Sequence, residues 1–240
     1  MTITPDTIIY WQHGPFAISA TLVFTWVVMA LLAGGSWLVT RDLSGATSVS
    51  RGQLLLEIVL SGIRGQIQDV VDADPDRYLP FIGTLFLLIV VSNVLVVVPG
   101  FRAPTGSLST TTALAVCVFF AVPAFGIAAN GLRGYLKSYL QPTPFLLPFN
   151  IISEITRTIS LAIRLFGNMM SGTMITAVAL AIAPLFFPVI MNVLGLLIGV
   201  IQAYIFSILA LVYIASATRA HEEQLAGSPN EEGETTRGKP

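Results

Sequence analysis

The chain has 240 residues, of which 54% are hydrophobic and 10% charged, with a mean hydropathy of +0.80 and a net charge of −1. That balance excludes a domain folded in water and makes the bilayer the solvent for most of the chain. The near-zero net charge itself says nothing about partners, and no nucleic acid is expected among them.

A span needs roughly 20 consecutive apolar residues. Uncharged stretches cover 7–40, 78–101, 103–132 and 165–218. The first three hold one span each. The last is long enough for two, with a break at Pro184 and Pro188. Five crossings are therefore expected, at about 16–39, 79–98, 111–130, 152–183 and 187–218, within a single membrane domain over 1–220. No cleavable signal peptide is evident, because the first residues lack a basic region and the apolar run from Phe16 is long.

Between the first two crossings the character changes. The run Gln53-Leu54-Leu55-Leu56-Glu57-Ile58-Val59-Leu60 continues through Ile63 and Ile67, with Arg64, Gln66, Gln68 and Asp69 interspersed. An amphipathic helix over about 50–73 is expected, too polar to cross and lying at the interface, where it anchors the chain or docks a partner helix. The 100–110 loop carries Gly100, Pro104, Gly106, Ser107, Ser109 and Thr110, with Thr111 following. Its hydroxyls either cap the next helix or line an aqueous vestibule. Residues 141–149 hold three prolines and read as a connector. From 221 to 240 the chain is polar and acidic, and a disordered cytoplasmic tail is expected. Cys117 is the single cysteine, so no internal disulfide forms, and His13 and His221 lack any metal-ligand spacing. No metal site is expected.

Charge placement gives an orientation. Arg41, Arg51, Arg64 and Arg77 precede the second span, Arg133 and Lys137 precede the fourth, and Arg219, Arg237 and Lys239 follow the fifth. Arg102 alone lies on the opposite side. The N-terminus is thus expected outside and the C-terminus in the cytoplasm.

The fourth span carries a polar stripe. At 100° per residue, Ser153, Arg157, Ser160, Arg164, Asn168 and Ser171 fall within an arc of roughly 80°. Arg164 is the last charge before the long uncharged run, and an arginine near hydrocarbon costs at least about 2.5–3.5 kcal/mol on insertion scales. Two readings stand open: Arg164 snorkels to the cytoplasmic interface as an anchor, or its charge serves a function. The fifth span has a matching face, with Asn192, Gly195, Gly199, Gln202, Phe206 and Tyr213 on one side. Helix packing through the glycines explains that face, and hydrogen bonding across a helix pair explains Asn192 and Gln202.

At these residues the chain resembles subunit a of the F-type ATP synthases. The match runs through Ser160-Leu161, Arg164-Leu165-Phe166-Gly167-Asn168-Met169 and Gly172, then Gln202-Ala203-Tyr204-Ile205-Phe206 and Val212-Tyr213, and covers about 15–220. The resemblance implies an all-α membrane protein of five transmembrane helices and one interfacial helix, whose long C-terminal hairpin faces a ring of c subunits. It implies a stator with two ion half-channels, a b-type peripheral stalk as neighbour, and residence in a bacterial inner membrane. Arg164 becomes the arginine facing the ring carboxylates, with Asn168 and Gln202 as its polar neighbours, Glu154 in the cytoplasmic half-channel and Arg157 in the place of a family basic residue. Ser160, Ser171 and Tyr213 join the ion-translocating set.

The departures fall on titratable groups. Thr173 and Gly195 stand where many members have ionisable side chains, Ser107 replaces a loop acid, and Thr158 replaces a proline. Either protons cross on water, or the ion is Na⁺, a hard cation that oxygens of Ser107, Ser109, Thr111 and Thr173 help to satisfy. Asn192 and Gly195 belong to the same possible external half-channel. No covalently bound cofactor is expected, only H⁺ or Na⁺ as the transported ion. The chain has no GxxxxGK loop, no zinc-binding helical histidines and no acidic dyad, so no bond-making chemistry is expected of it. A stand-alone transporter or channel is the alternative.

Overall fold

The computed structural model describes residues 9–13, 16–41, 51–71, 74–98, 100–140, 147–182 and 187–219. Among them, five helices are long and apolar enough to cross a membrane, with candidate spans Ala20–Leu38, Leu79–Val97, Leu108–Ala129, Pro148–Ala181 and Val189–Thr218. The chain is a multi-pass integral membrane protein built on helices. The tail expected to be disordered lies outside the described residues.

A short antiparallel hairpin, β1 (Ile9–His13) and β2 (Phe16–Ser19), leads directly into α1 (Ala20–Arg41). The first helix thus starts at Ala20, within the span expected at about 16–39. Aromatic and β-branched residues such as Ile9, Trp11, Phe16 and Ile18 suit a pleated pair, and Gly14-Pro15 separates the two strands in the sequence.

Helix α2 (Arg51–Val70) is the amphipathic one. It buries Ile67, and Val71 just beyond its end, against α3 (Leu79–Val94) and α6 (Phe187–Arg219), and leaves Leu54 and Ile58 exposed. Tyr204 Oη of α6 donates to Gln66 Oε1. The surface on which α2 docks is therefore its own chain. Arg64 and Asp76 form an ion pair at 2.9 Å with both side chains about half exposed, a contact worth about 0–1 kcal/mol.

Helix α3 admits Pro80 in its first turn, where the missing amide costs no bond, and tightens into a 3-10 turn at Leu95–Val97. Helix α4 (Leu108–Leu140) is broken at Gly131, whose φ of 71° no side chain adopts readily. That break ends the third crossing close to its expected limit. Helix α5 (Leu147–Ile182) begins inside the expected connector: Pro148 sits in the first turn, where proline is compatible with a helix.

The core is the contact of four helices. Ile82, Leu85 and Ile89 of α3, Ala115, Val118 and Val122 of α4, and Leu161, Ala162 and Leu165 of α5 close around Ala203, Phe206, Ala210, Leu211 and Ile214 of α6. Small residues on α6 let it serve as the central post. Within the chain only 17% of the α5 span is buried, against 33% for the α6 span. Most of α5 therefore faces outward.

Candidate functional site

The outward surface of α5 includes the polar stripe. Leu161, Ala162 and Leu165 turn into the core. Ser153, Arg157, Arg164, Asn168 and Ser171 remain exposed beside that buried face, while Ser160 and Glu154 are half-buried. The stripe thus runs along the edge where α5 meets α6.

Arg164 lies at the midpoint of α5, roughly 26 Å along the axis from either end. It is exposed and makes no ion pair among the described residues. Because α5 starts at Leu147, well before the arginine, the side chain does not stand at a helix end. An unpaired guanidinium at mid-helix needs an anion or water supplied from outside this chain.

Two contacts tie the stripe to α6. Asn168 Nδ2 donates to Gln202 Oε1 at 2.5 Å. The Arg157 guanidinium carbon stands 5.2 Å from the centroid of the Tyr213 ring, within range of a cation–π contact. Gln202 is only 2% exposed, and its Nε2 has no hydrogen-bond partner among the described residues. Leaving such a donor unsatisfied costs about 1–3 kcal/mol.

Beyond Asn168, α3, α5 and α6 enclose a cavity of about 330 Å³. Asn93, Asn168, Thr173, Thr176, Asn192, Gly172 and Gly195 supply its polar and glycine lining, and among the described residues no titratable side chain borders it. Thr173 Oγ1 donates to Met170 O at 2.8 Å and Thr176 Oγ1 to Gly172 O at 2.8 Å. Each threonine proton is thus committed to the helix, and only oxygen lone pairs remain to meet what enters. Thr173, Asn192 and Gly195, singled out separately in the sequence, converge here.

Ser107, Ser109 and Thr111 do not line this cavity. Ser107 Oγ accepts from Ser109 N at 3.2 Å and lies 2.6 Å from Ser109 Oγ, while Thr111 Oγ1 donates to Leu108 O at 3.1 Å. Of the two readings of this loop, capping of α4 is the one observed. The orphan amides at a helix start attract hydroxyl acceptors; Ser107 is fully buried in that role, while the buried Thr111 hydroxyl bonds back to the helix itself.

Asn93 is the residue that sequence reasoning missed. It is 3% exposed and borders the cavity; its Nδ2 donates to Gly199 O at 2.9 Å, and its Oδ1 accepts from Thr105 Oγ1 at 3.2 Å. The signal was present as an amide in an otherwise apolar span. Among the described residues no cluster of His, Cys, Asp or Glu is arranged to hold a metal, so a cation in the cavity meets neutral oxygens.

The profile of a family described as "ATP synthase A chain" matches residues 22–215. The chain is 62% identical over 222 residues to "ATP synthase subunit a 2" of Acaryochloris marina, covering 92% of this chain and 95% of that relative. It is 59% identical over 223 residues to "ATP synthase subunit a 1" of Chlorobaculum parvum, covering 93% and 99% respectively. A similar match, 59% over 222 residues, is to "ATP synthase subunit a" of Albidiferax ferrireducens.

Proposed function

The chain belongs to the ATP synthase A chain family, and from that premise we propose that Arg164 is the fixed cation past which the ion-carrying carboxylates of a c-subunit ring turn. As a subunit a it is the non-catalytic membrane stator of a rotary ATP synthase, and ATP chemistry belongs to other subunits. The observation that carries the residue-level reading is an exposed mid-helix guanidinium with no anionic partner among the described residues. A carboxylate arriving from lipid meets that charge, which favours its ionised form and so releases its H⁺ or Na⁺. The same charge repels cations that would otherwise pass directly between the two half-channels. Arginine suits this role because its guanidinium stays protonated where a buried lysine can lose its charge.

The cavity lined by Asn168, Thr173, Asn192 and Gly195 serves as the external half-channel, with Asn93 added to that set. Glu154, Ser160 and Ser171 border the ring-facing path, Glu154 toward the cytoplasm. Ser107, Ser109 and Thr111 support this channel through the start of α4. The exposed remainder of the helices meets lipid and a b-type peripheral stalk. The excess of arginine and lysine on one side puts the N-terminus outside and the C-terminus in the cytoplasm of a bacterial inner membrane.

The test is Arg164→Ala in the assembled complex reconstituted into vesicles. ATP-driven ion uptake falls to background while subunit composition stays unchanged, since alanine is at ease in a helix. Parental uptake in that variant would remove the proposed role.

A further inference from the structure

The two bridges between α5 and α6 share one feature. Equal numbers of residues separate Arg157 from Asn168 along α5 and Gln202 from Tyr213 along α6. Both pairs therefore belong to the same antiparallel register, about 16 Å apart along the seam. Between them the seam is apolar: Leu161 and Leu165 pack with Ala203, Phe206 and Ala210. Such a surface carries no directional bonds of its own, so the two polar contacts that bracket it are the directional restraints on the axial position of one helix on the other. In the shared register Phe206 falls across from Arg164, and it is fully buried. Its ring occupies the seam at that level, consistent with the guanidinium lying outside it.

We propose that Arg157 and Tyr213 are positioning residues: their cation–π contact sets the register of α5 on α6 and thereby the place of Arg164. The inference rests on the role assigned to Arg164 but assigns Tyr213 a different part from ion carrier. The contact uses the face of the ring and not its hydroxyl. Arg157 is exposed, yet its charge is directed at Tyr213 and makes no ion pair among the described residues. A slip of one helical turn would carry Arg164 about 5.4 Å along the axis, far beyond the tolerance of a site that must meet a passing carboxylate at hydrogen-bond distance.

The experiment compares Tyr213→Phe, Tyr213→Leu, Arg157→Gln and the double variant Arg157→Gln/Tyr213→Leu in the whole complex. ATP hydrolysis and ATP-driven ion uptake are measured together, with Arg164→Ala as a reference. Tyr213→Phe keeps the ring and retains uptake within about twofold of the parent. Tyr213→Leu and Arg157→Gln each lower uptake per ATP hydrolysed at least about fivefold, and the double variant is no worse than either single change, because one contact is lost in all three. Equal loss in Tyr213→Phe and Tyr213→Leu would show that the hydroxyl matters and would overturn the proposal. So would parental coupling in Tyr213→Leu. Should Arg157→Gln fail to assemble, the two Tyr213 variants decide alone. An active Arg164→Ala, in contrast, would strike at the role of Arg164 and not at the clasp.

Discussion

Gln202 holds two opposed contributions in one side chain. Its Oε1 accepts from Asn168, while its Nε2 is buried without a partner among the described residues. Replacing it by leucine removes the acceptor and the unsatisfied donor together. The loss of a net hydrogen bond, about 0.5–1.5 kcal/mol, is offset by relief of a penalty of about 1–3 kcal/mol. Gln202→Leu is therefore expected to leave the thermal stability of the complex within about 1 kcal/mol of the parent. Uptake falls several-fold without vanishing, because Asn168 loses its orientation while Arg164 keeps its charge. Parental uptake would reduce Gln202 to packing. The polar stripe containing Arg164 was legible from the 100° periodicity of a single helix. The resemblance already set Asn168 beside Gln202, but the contact of Arg157 with Tyr213 was not legible, since partners across a helix pair depend on a register that neither helix encodes alone.

At the scale of elements, the glycines of α6 divide in a way the sequence did not suggest. Gly195 and Gly199 read equally as places of close backbone approach. In the structure a Cβ at Gly199 would lie 2.8 Å from Cγ and Nδ2 of Asn93, whereas one at Gly195 would meet nothing within 4 Å. Gly199→Ala should thus destabilise the α3–α6 contact by about 1–3 kcal/mol, the ordinary cost of overpacking, and also strain the Asn93 hydrogen bond. Gly195→Ala should leave stability unchanged. Thermal unfolding of the detergent-solubilised complex distinguishes them. The crossings themselves were legible, because a bilayer demands long apolar helices and little else. The strand pair at Ile9–His13 and Phe16–Ser19 was not read from the sequence, since its strands are short and lack the strict alternation that marks a half-buried strand. The hydroxyls around Ser107 were legible only as polar: composition does not say whether a helix start or water will use them.

For the molecule as a whole, the low internal burial of α5 leaves most of its surface to lipid or to other subunits. The nature of the ion is also a property of the whole assembly. With no titratable side chain around the α3–α5–α6 cavity among the described residues, the two ions are told apart by following ATP-driven uptake as ²²Na⁺ entry and as acid entry in the same vesicles. Sodium-linked transport gives tracer entry that rises with external Na⁺ and persists when the pH gradient is collapsed. Proton transport gives acid entry indifferent to sodium.

The threonine hydroxyls sharpen that choice. A hopping proton requires every link of its chain to give one hydrogen as it takes another. Thr173 and Thr176 have already surrendered theirs to Met170 and Gly172 of the same helix, so neither is a link unless the turn beneath it lets go. Acid passing this wall must migrate through a thread of solvent, and Thr173→Val leaves its flux at the parental value. A sodium ion, which asks only for electron pairs, loses one resting place on the way and slows.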